Sequence, residues 1–294
     1  MNIVKFRLLS DFHRVHTFLT ENYNLTHLNS YYLPQFFEYA LTHPLFSFKE
    51  AHRMMIVEEN NEMIGFIAIE MTLPETFIVL KQEYLSYFDK CVTLATQHMS
   101  VVKDNNRITR IWVIDHEKEK NDILKERGFK PIYEEAVTIF KYDDPLKQCT
   151  LAQGYEFFSL CEENDISKID ECLHKGFDHK KESDKDFDSR LMMQTGPNFS
   201  KELSTIVKAD NGDYATYAGM WLDKHNHYAY LEPLATMPNH RKKGLASAII
   251  AHSIEKTKQL GATYMFGGDM PFYYNFGFKK IATRILYEKR EEIT

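Results

Sequence analysis

The alternation of hydrophobic and polar positions predicts two runs of strands and helices that follow the same order along the chain. Apolar, strand-like segments at 54–58 and 203–207 each lead through a polar turn into a second apolar strand, at 64–69 and 214–222. The matching positions lie about 149 residues apart. Two copies of such a long period indicate duplicated domains and not a solenoid. We therefore expect a mixed α/β fold built as two lobes.

The second lobe shows the pattern most clearly. A helix is predicted over 165–175, with Asn164 as its N-cap and Gly176 just past its end. A polar segment that contains Pro145 separates the lobes, which predicts domains over 1–145 and 146–294. The remaining predicted elements are strands at 155–160, 204–208, 214–222, 228–234, 263–266 and 281–288, and helices at 183–195, 244–260 and 272–276.

The first lobe differs from the second in its glycines. A late match pairs Glu-Arg-Gly-Phe-Lys at 126–130 with Asn-Phe-Gly-Phe-Lys at 275–279, yet no glycine lies between Gly65 and Gly128. The turn after the strand at 76–80 therefore has no residue small enough for a phosphate to approach the backbone closely. We expect this lobe to be degenerate, with a structural or substrate-shaping role.

Composition excludes several classes of protein. The 294 residues are 44% hydrophobic and 14% aromatic, which is enough for a large core without disulfides or metals. No apolar run reaches the roughly 20 residues that span a bilayer, no signal peptide is evident, and the four cysteines show no paired spacing, so we expect a cytoplasmic protein without membrane partners. The net charge of −6 argues against nucleic-acid binding, and the 13 histidines form no metal-ligand motif.

The segment Arg241-Lys242-Lys243-Gly244-Leu245-Ala246 opens a predicted helix and combines cations with small residues. The first N–H groups of a helix lack internal partners and carry the positive end of the helix dipole, so they bind phosphate when no side chain blocks the approach. The alternative is an ordinary solvated basic helix start, although cations there oppose the dipole. The P-loop pattern GxxxxGK[ST] is absent.

Two further residues are candidates for acid–base chemistry. Glu232 lies on a predicted strand directly before Pro233, which cannot donate to a sheet ladder and so leaves neighbouring backbone groups for a ligand. Tyr273 lies in a turn that ends in Gly277-Phe278. The alternatives are a partly exposed strand carboxylate and a packed aromatic side chain.

Taken together, these residues resemble the GNAT superfamily of N-acetyltransferases. The family pattern Arg/Gln-x-x-Gly-x-Gly/Ala is similar to residues 241–246, and the segments Glu232–Pro238 and Phe272–Phe278 are similar to subfamily motifs. The strong resemblance covers roughly residues 152–289. The first lobe is similar only in its element order and in Gly128-Phe129, so the chain resembles a tandem acetyltransferase whose first copy is degenerate.

The resemblance implies direct transfer of an acetyl group from acetyl-CoA, as co-substrate, to a primary amine of a small molecule or peptide. Glu232 would be the base and Tyr273 would meet the sulfur. The implied cofactor residues are Leu234, Ala235 and Thr236 for the pantetheine arm, and Arg241, Lys242, Lys243, Gly244, Leu245, Ala246 and Ser247 for the pyrophosphate.

Two features depart from the family pattern: Ala246 replaces the commoner second glycine, and the segment 267–271 is unusual. The alternative function is an acetyl-CoA-binding sensor or interaction module without turnover. A first lobe that binds substrate or forms a homodimer is compatible with catalysis. The acceptor stays open among polyamines, amino acids, antibiotics and protein amines.

Overall fold

The computed structural model describes residues 1–179 and 187–293. Its strands are β1 (Asn2–Lys5), β2 (Met55–Glu59), β3 (Glu62–Ile69), β4 (Glu75–Leu80), β5 (Val101–Lys103), β6 (Asn106–Ile114), β7 (Lys130–Lys141), β8 (Tyr155–Ser159), β9 (Thr205–Ala209), β10 (Tyr214–Asp223), β11 (Tyr228–Thr236), β12 (Tyr264–Gly267) and β13 (Lys279–Glu292). Its α-helices are α1 (Phe12–Glu21), α2 (Pro34–Thr42), α3 (Phe88–His98), α4 (Lys118–Glu126), α5 (Ile166–Gly176), α6 (Phe187–Met193), α7 (Leu245–Gln259) and α8 (Pro271–Phe276). The predicted mixed α/β fold is confirmed.

The chain divides into two units. The first comprises Met1–Val137 together with the segment that begins at Ile281, and the second comprises Thr138–Lys280. The sequence had indicated a junction near Pro145 and a last strand that belongs to the second lobe. Both boundaries differ, because β7 continues from the first unit into the second and β13 pairs within the first. Hydrophobic periodicity predicts a strand but not its partner.

In the first unit the strands follow the order β1-β2-β3-β4-β6-β13, with β5 paired to β6. Strand β4 runs parallel to β6 only from Glu75 to Phe77. Strand β13 runs antiparallel to β6 from Arg284 to Glu292. Rings of Phe6, Tyr32, Phe37, Phe66 and Phe77 pack against one another within 6.3 Å and form an aromatic core.

In the second unit the order is β7-β12-β11-β10-β9-β8. Strand β11 pairs with β10 as far as Thr236, whereas its parallel pairing with β12 ends at Tyr230 opposite Phe266. One edge of β11 therefore has no sheet partner beyond Tyr230 in the described part of the chain. Helix α7 packs its buried isoleucines Ile249, Ile250 and Ile254 into the same core as Met265 and Phe278.

The start of α5 corrects one prediction. Asp165, and not Asn164, caps the helix, because its carboxylate accepts hydrogen bonds from the N–H groups of Ser167 and Lys168 at 3.0 and 3.2 Å. The Asn164 amide is instead paired with the Gln194 amide at 2.9 and 3.1 Å. Of the helix expected over 183–195, residues 187–193 are helical, and 183–186 lie outside the described residues.

No helix in the described ranges is long and apolar enough to cross a membrane.

Candidate functional site

The second unit contains a cavity of about 790 Å³. That volume lies within the range of small-molecule sites, roughly 300–1,000 Å³. Three parts of the fold form its walls: the end of α5 with the turn after it, the open edge of β11, and the start of α7. Met270, Phe272 and Tyr273 complete the lining. The cavity therefore lies where the sequence places the phosphate-binding turn.

Most of the residues predicted for the cofactor lie on these walls. Leu234, Ala235, Thr236, Arg241, Lys242, Gly244, Leu245, Ala246 and Ser247 all line the cavity, and Tyr273 does so as well. Lys243 and Glu232 are not among the lining residues. The residues predicted for the cofactor thus form one continuous part of the lining, and their roles stay predictions.

The turn before α7 has a backbone that presents the start of the helix to the cavity. Gly244 is the N-cap with φ of +77°, and Lys242 has φ of +63°. A Cβ added at Gly244 would meet no atom within 4 Å, so glycine is favoured there by its left-handed backbone and leaves open space in front of the helix. Since a glycine N-cap has no side chain to accept from the first N–H groups, those donors remain available for an anion.

The three cations of this turn differ in their surroundings. Arg241 hydrogen-bonds the carbonyl oxygens of Thr236 and Gly176 at 3.1 and 2.8 Å and pairs with Asp178 at 3.0 Å. Lys243 Nζ donates to Tyr155 Oη at 2.7 Å. Lys242 lines the cavity, and no ion pair connects it to another described residue.

Behind the turn, a chain of hydrogen bonds fixes the buried His240. Lys243 donates to Tyr155 Oη, which lies 2.9 Å from His240 Nδ1, and His240 Nε2 lies 3.1 Å from Asp213 Oδ2. The hydrogen bond with His240 holds the pKa of the Asp213 carboxyl below its usual range. His240 lines the cavity, so this chain supports one of its walls.

Tyr273 and Glu232 act on each other electrostatically. Burial and, secondly, the charge of Glu232 raise the pKa of Tyr273 above its usual value, and a hydrogen bond with the Gly268 backbone opposes the shift. Tyr273 is therefore a neutral hydrogen-bond donor at neutral pH. The Glu232 main-chain carbonyl accepts from Trp221 Nε1 at 3.0 Å, which fixes the backbone at this point of β11.

The unusual glycine pair at 267–268 makes room for two rings. A Cβ on Gly267 would lie 2.4 Å from Phe278 Cε1, and a Cβ on Gly268 would lie 2.6 Å from Tyr273 Cε2. Both distances are too short for real Cβ contacts. These glycines therefore determine where the Phe278 and Tyr273 rings can lie.

Sequence reasoning missed the wall that α5 contributes. Gly176, Phe177 and Asp178 all line the cavity, and so does the exposed side chain of Met270. A Cβ on Gly176 would lie 2.7 Å from the Ala235 Cβ, so the helix end packs directly on β11. The glycine after a predicted helix was visible in the sequence, but it indicated only where the helix ends.

The corresponding gap in the first unit is occupied by the protein itself. The pairing of β4 with β6 ends at Phe77, just as the pairing of β11 with β12 ends at Tyr230. There the Asn29 amide donates to the Leu80 carbonyl at 2.8 Å and accepts from the Leu80 N–H at 3.3 Å. The buried Lys120 Nζ lies 3.3 Å from the same amide. The strand edge that a ligand would use is thus hydrogen-bonded internally.

Comparison with known families agrees with this geometry. Residues 161–278 match the family model described as "Acetyltransferase (GNAT) family". The second unit carries a GNAT-family domain. No protein in a search of curated sequences matches the chain.

Solved structures with similar folds extend over both units. A tandem GNAT protein from the clavulanic acid biosynthesis pathway is 9% identical, with a TM-score of 0.64 and 98% of each chain covered. A GNAT-family acetyltransferase from Colwellia psychrerythraea is 12% identical, with a TM-score of 0.61 and coverage of 99% of this chain and 100% of the other. A GCN5-related N-acetyltransferase from Sphaerobacter thermophilus is 11% identical, with a TM-score of 0.59 over 81% and 80%. The tandem GNAT fold is therefore shown, and the family supports an acyltransferase activity.

Proposed function

We propose that the protein is an N-acetyltransferase that transfers the acetyl group of acetyl-CoA directly to a primary amine in a ternary complex. The cavity supports this proposal most strongly, because an uncapped helix start, an open strand edge and Tyr273 converge there, and the charge of Glu232 acts on Tyr273. Leu234, Ala235 and Thr236 would hold the pantetheine arm. Lys242 and the α7 start, from Gly244 to Ser247, would hold the pyrophosphate.

The residues present fit such a co-substrate. The open space in front of Gly244 admits a phosphate, and the unpaired edge of β11 offers main-chain groups to the amides of an extended arm. Acetyl-CoA supplies the activated acyl group.

Deprotonation of the amine is the step that needs a base. A lysine-like amine has a pKa of about 10.4, so only about one in 2,500 is neutral at pH 7, a handicap of about 4.6 kcal/mol. We propose that Glu232, whose charge acts on Tyr273, is this base, and because it does not line the cavity it would take the proton through one water.

Departure of the thiolate is assisted by Tyr273. As the C–N bond forms and the C–S bond breaks, negative charge develops on sulfur. The leaving thiol of CoA should have a pKa near that of cysteine, which is about 8.5. With a pKa raised by burial, Tyr273 stays protonated and stabilises that charge by donating a hydrogen bond more readily than by transferring its proton. Alignment of the two substrates would supply much of the remaining acceleration.

We further propose one active site per chain, in the second unit. The support is the contrast between the two strand gaps: β11 borders a cavity, whereas the backbone of Leu80 is already paired with Asn29. The first unit would then have a structural or substrate-shaping role.

The experiment is release of free CoA thiol from acetyl-CoA with a panel of amines, for the wild type and Tyr273→Phe. We expect amine-dependent release by the wild type, a fall of at least about tenfold in turnover for the variant, and unchanged CoA affinity. Unchanged turnover in Tyr273→Phe would remove this residue from the mechanism. CoA binding without release for any amine would instead favour a sensor.

A further inference from the structure

Arg241 heads the segment that resembles a phosphate-binding motif, yet its guanidinium is engaged elsewhere. Nε donates to the Thr236 carbonyl at 3.1 Å, Nη2 donates to the Gly176 carbonyl at 2.8 Å, and Nη1 donates to Asp178 Oδ2 at 3.1 Å. A guanidinium has five N–H donors in one plane. Its N–H groups already bond three acceptors, two at the end of α5 and one at the end of β11.

These acceptors lie at the junction of two cavity walls. Gly176 ends α5, and its carbonyl is one of the C-terminal carbonyls that no helical N–H can satisfy. Thr236 ends β11. An arginine at a helix C-terminus also interacts favourably with the helix dipole. Arg241 thus joins the last residue of a helix to the last residue of a strand.

The packing at this junction is close enough to need such a link. The missing side chain of Gly176 lets the helix end approach β11 so far that an added Cβ would lie 2.7 Å from the Ala235 Cβ and 3.2 Å from the Thr236 nitrogen. Ala235 and Thr236 line the cavity, as do Gly176 and Asp178. A small movement of α5 would therefore change the width of the cavity.

Arg241 and its neighbour Lys242 also differ in their ion pairing. The Asp178 carboxylate lies 3.0 Å from Arg241 Nη2 and reduces the attraction of this cation for a phosphate. Lys242 lines the same cavity without an ion-pair partner among the described residues. The two adjacent cations therefore differ in the charge that they can offer to a ligand.

We propose that Arg241 is a positioning residue, which clips the end of α5 to the end of β11 and so sets the geometry of the cofactor cavity, whereas Lys242 provides the cation that meets phosphate. This inference rests on the proposed function for its ligand. The clip itself is a property of the protein without ligand.

The test compares Arg241→Ala, Arg241→Lys and Lys242→Ala in two measurements. The first is hydrogen exchange without ligand at the amides of Phe177 and Asp178, which bond to the last turn of α5. We expect both Arg241 variants to speed this exchange at least about tenfold, because lysine cannot reach three acceptors with one planar group. Lys242→Ala should leave it unchanged.

The second measurement is CoA affinity as a function of salt. Both Arg241 variants should weaken binding by at least about tenfold while keeping the salt dependence of the wild type, and Lys242→Ala should reduce that dependence, since exposed charge pairs are screened. Recovery of affinity in Arg241→Lys, or a lower salt dependence in Arg241→Ala with unchanged exchange, would overturn the proposal. If the wild type binds no CoA, the proposed function fails, and the exchange measurement still decides whether the clip exists.

Discussion

The glycine pair at 267–268 offers a test of Tyr273 that leaves its hydroxyl in the protein. In Gly268→Ala the new Cβ would lie 2.6 Å from Tyr273 Cε2 and 3.1 Å from Cζ. An ordinary contact begins near 3.4 Å, so the ring has to move by close to an ångström. Such overpacking typically costs about 1–3 kcal/mol of stability.

The displaced ring should also slow the reaction. A displacement of about 1 Å in a catalytic group can cost on the order of 100-fold in rate, because alignment is lost. We expect Gly268→Ala to lower turnover by about 10- to 100-fold with little change in CoA affinity. The assay is amine-dependent thiol release with the best amine of the panel, beside calorimetric titration with CoA.

Gly267→Ala is the matched control. Its Cβ would meet Phe278, which is buried in the core, at 2.4 Å. It should lower the melting temperature at least as much as Gly268→Ala but reduce turnover less, although the Tyr273 and Phe278 rings touch edge to face at 5.3 Å. If Gly268→Ala loses stability and keeps full turnover, the position of the Tyr273 ring does not matter and the reasoning is refuted.

Two further predictions concern stability and the α5 wall. Burial raises the pKa of Glu70 from 4.5 to about 7. The positive charge of Arg284 opposes this shift, and the negative charges of Glu75 and Glu135 add to it. The folded protein holds this proton more tightly than the unfolded chain. Stability is therefore lost as pH rises from 4.5 to 7, by up to about 3 kcal/mol. Glu70→Gln should remove this loss in urea unfolding across that pH range, and parallel curves for the two proteins would contradict it. In the second, Gly176→Ala should weaken CoA binding and lower the melting temperature, whereas the surface variant Lys175→Ala should do neither; equal affinities would show that the close approach of α5 to β11 does not shape the cavity.

The continuous part of the site could be predicted from the sequence because it is local. The start of α7 and the end of β11 are neighbours along the chain, so the glycine, the cations and the strand carry their signal within about fifteen residues. The direction of each cation could not be predicted. Lys243 turns to Tyr155, and Arg241 turns to Gly176, which lies far away in sequence.

The fold shows the same limit. Element order and the mixed α/β class follow from periodicity, but the pairing of β13 with β6 depends on contacts between residues 106–114 and 284–292. Asn164 and Asp165 are both good N-cap residues. The Asn164 amide pairs with the Gln194 amide, thirty residues away, and Asp165 caps the helix. The missing glycines predicted a degenerate first lobe. The bond from the Asn29 amide to the Leu80 carbonyl could not be predicted, because the two residues lie some fifty positions apart in sequence.

The central claim is a single acetyl-CoA site per chain at the start of α7, and calorimetric titration with CoA tests it most directly. The informative pair is Gly244→Asp and Gly244→Asn, since both side chains tolerate a positive φ and differ mainly in charge. Ser86→Glu places a carboxylate in the exposed turn before α3 as the control for the first unit. The account predicts one CoA per wild-type chain, unchanged binding in Ser86→Glu, and affinity at least about tenfold lower in Gly244→Asp than in Gly244→Asn. Two molecules per chain, or equal affinity in the two Gly244 variants, would contradict it.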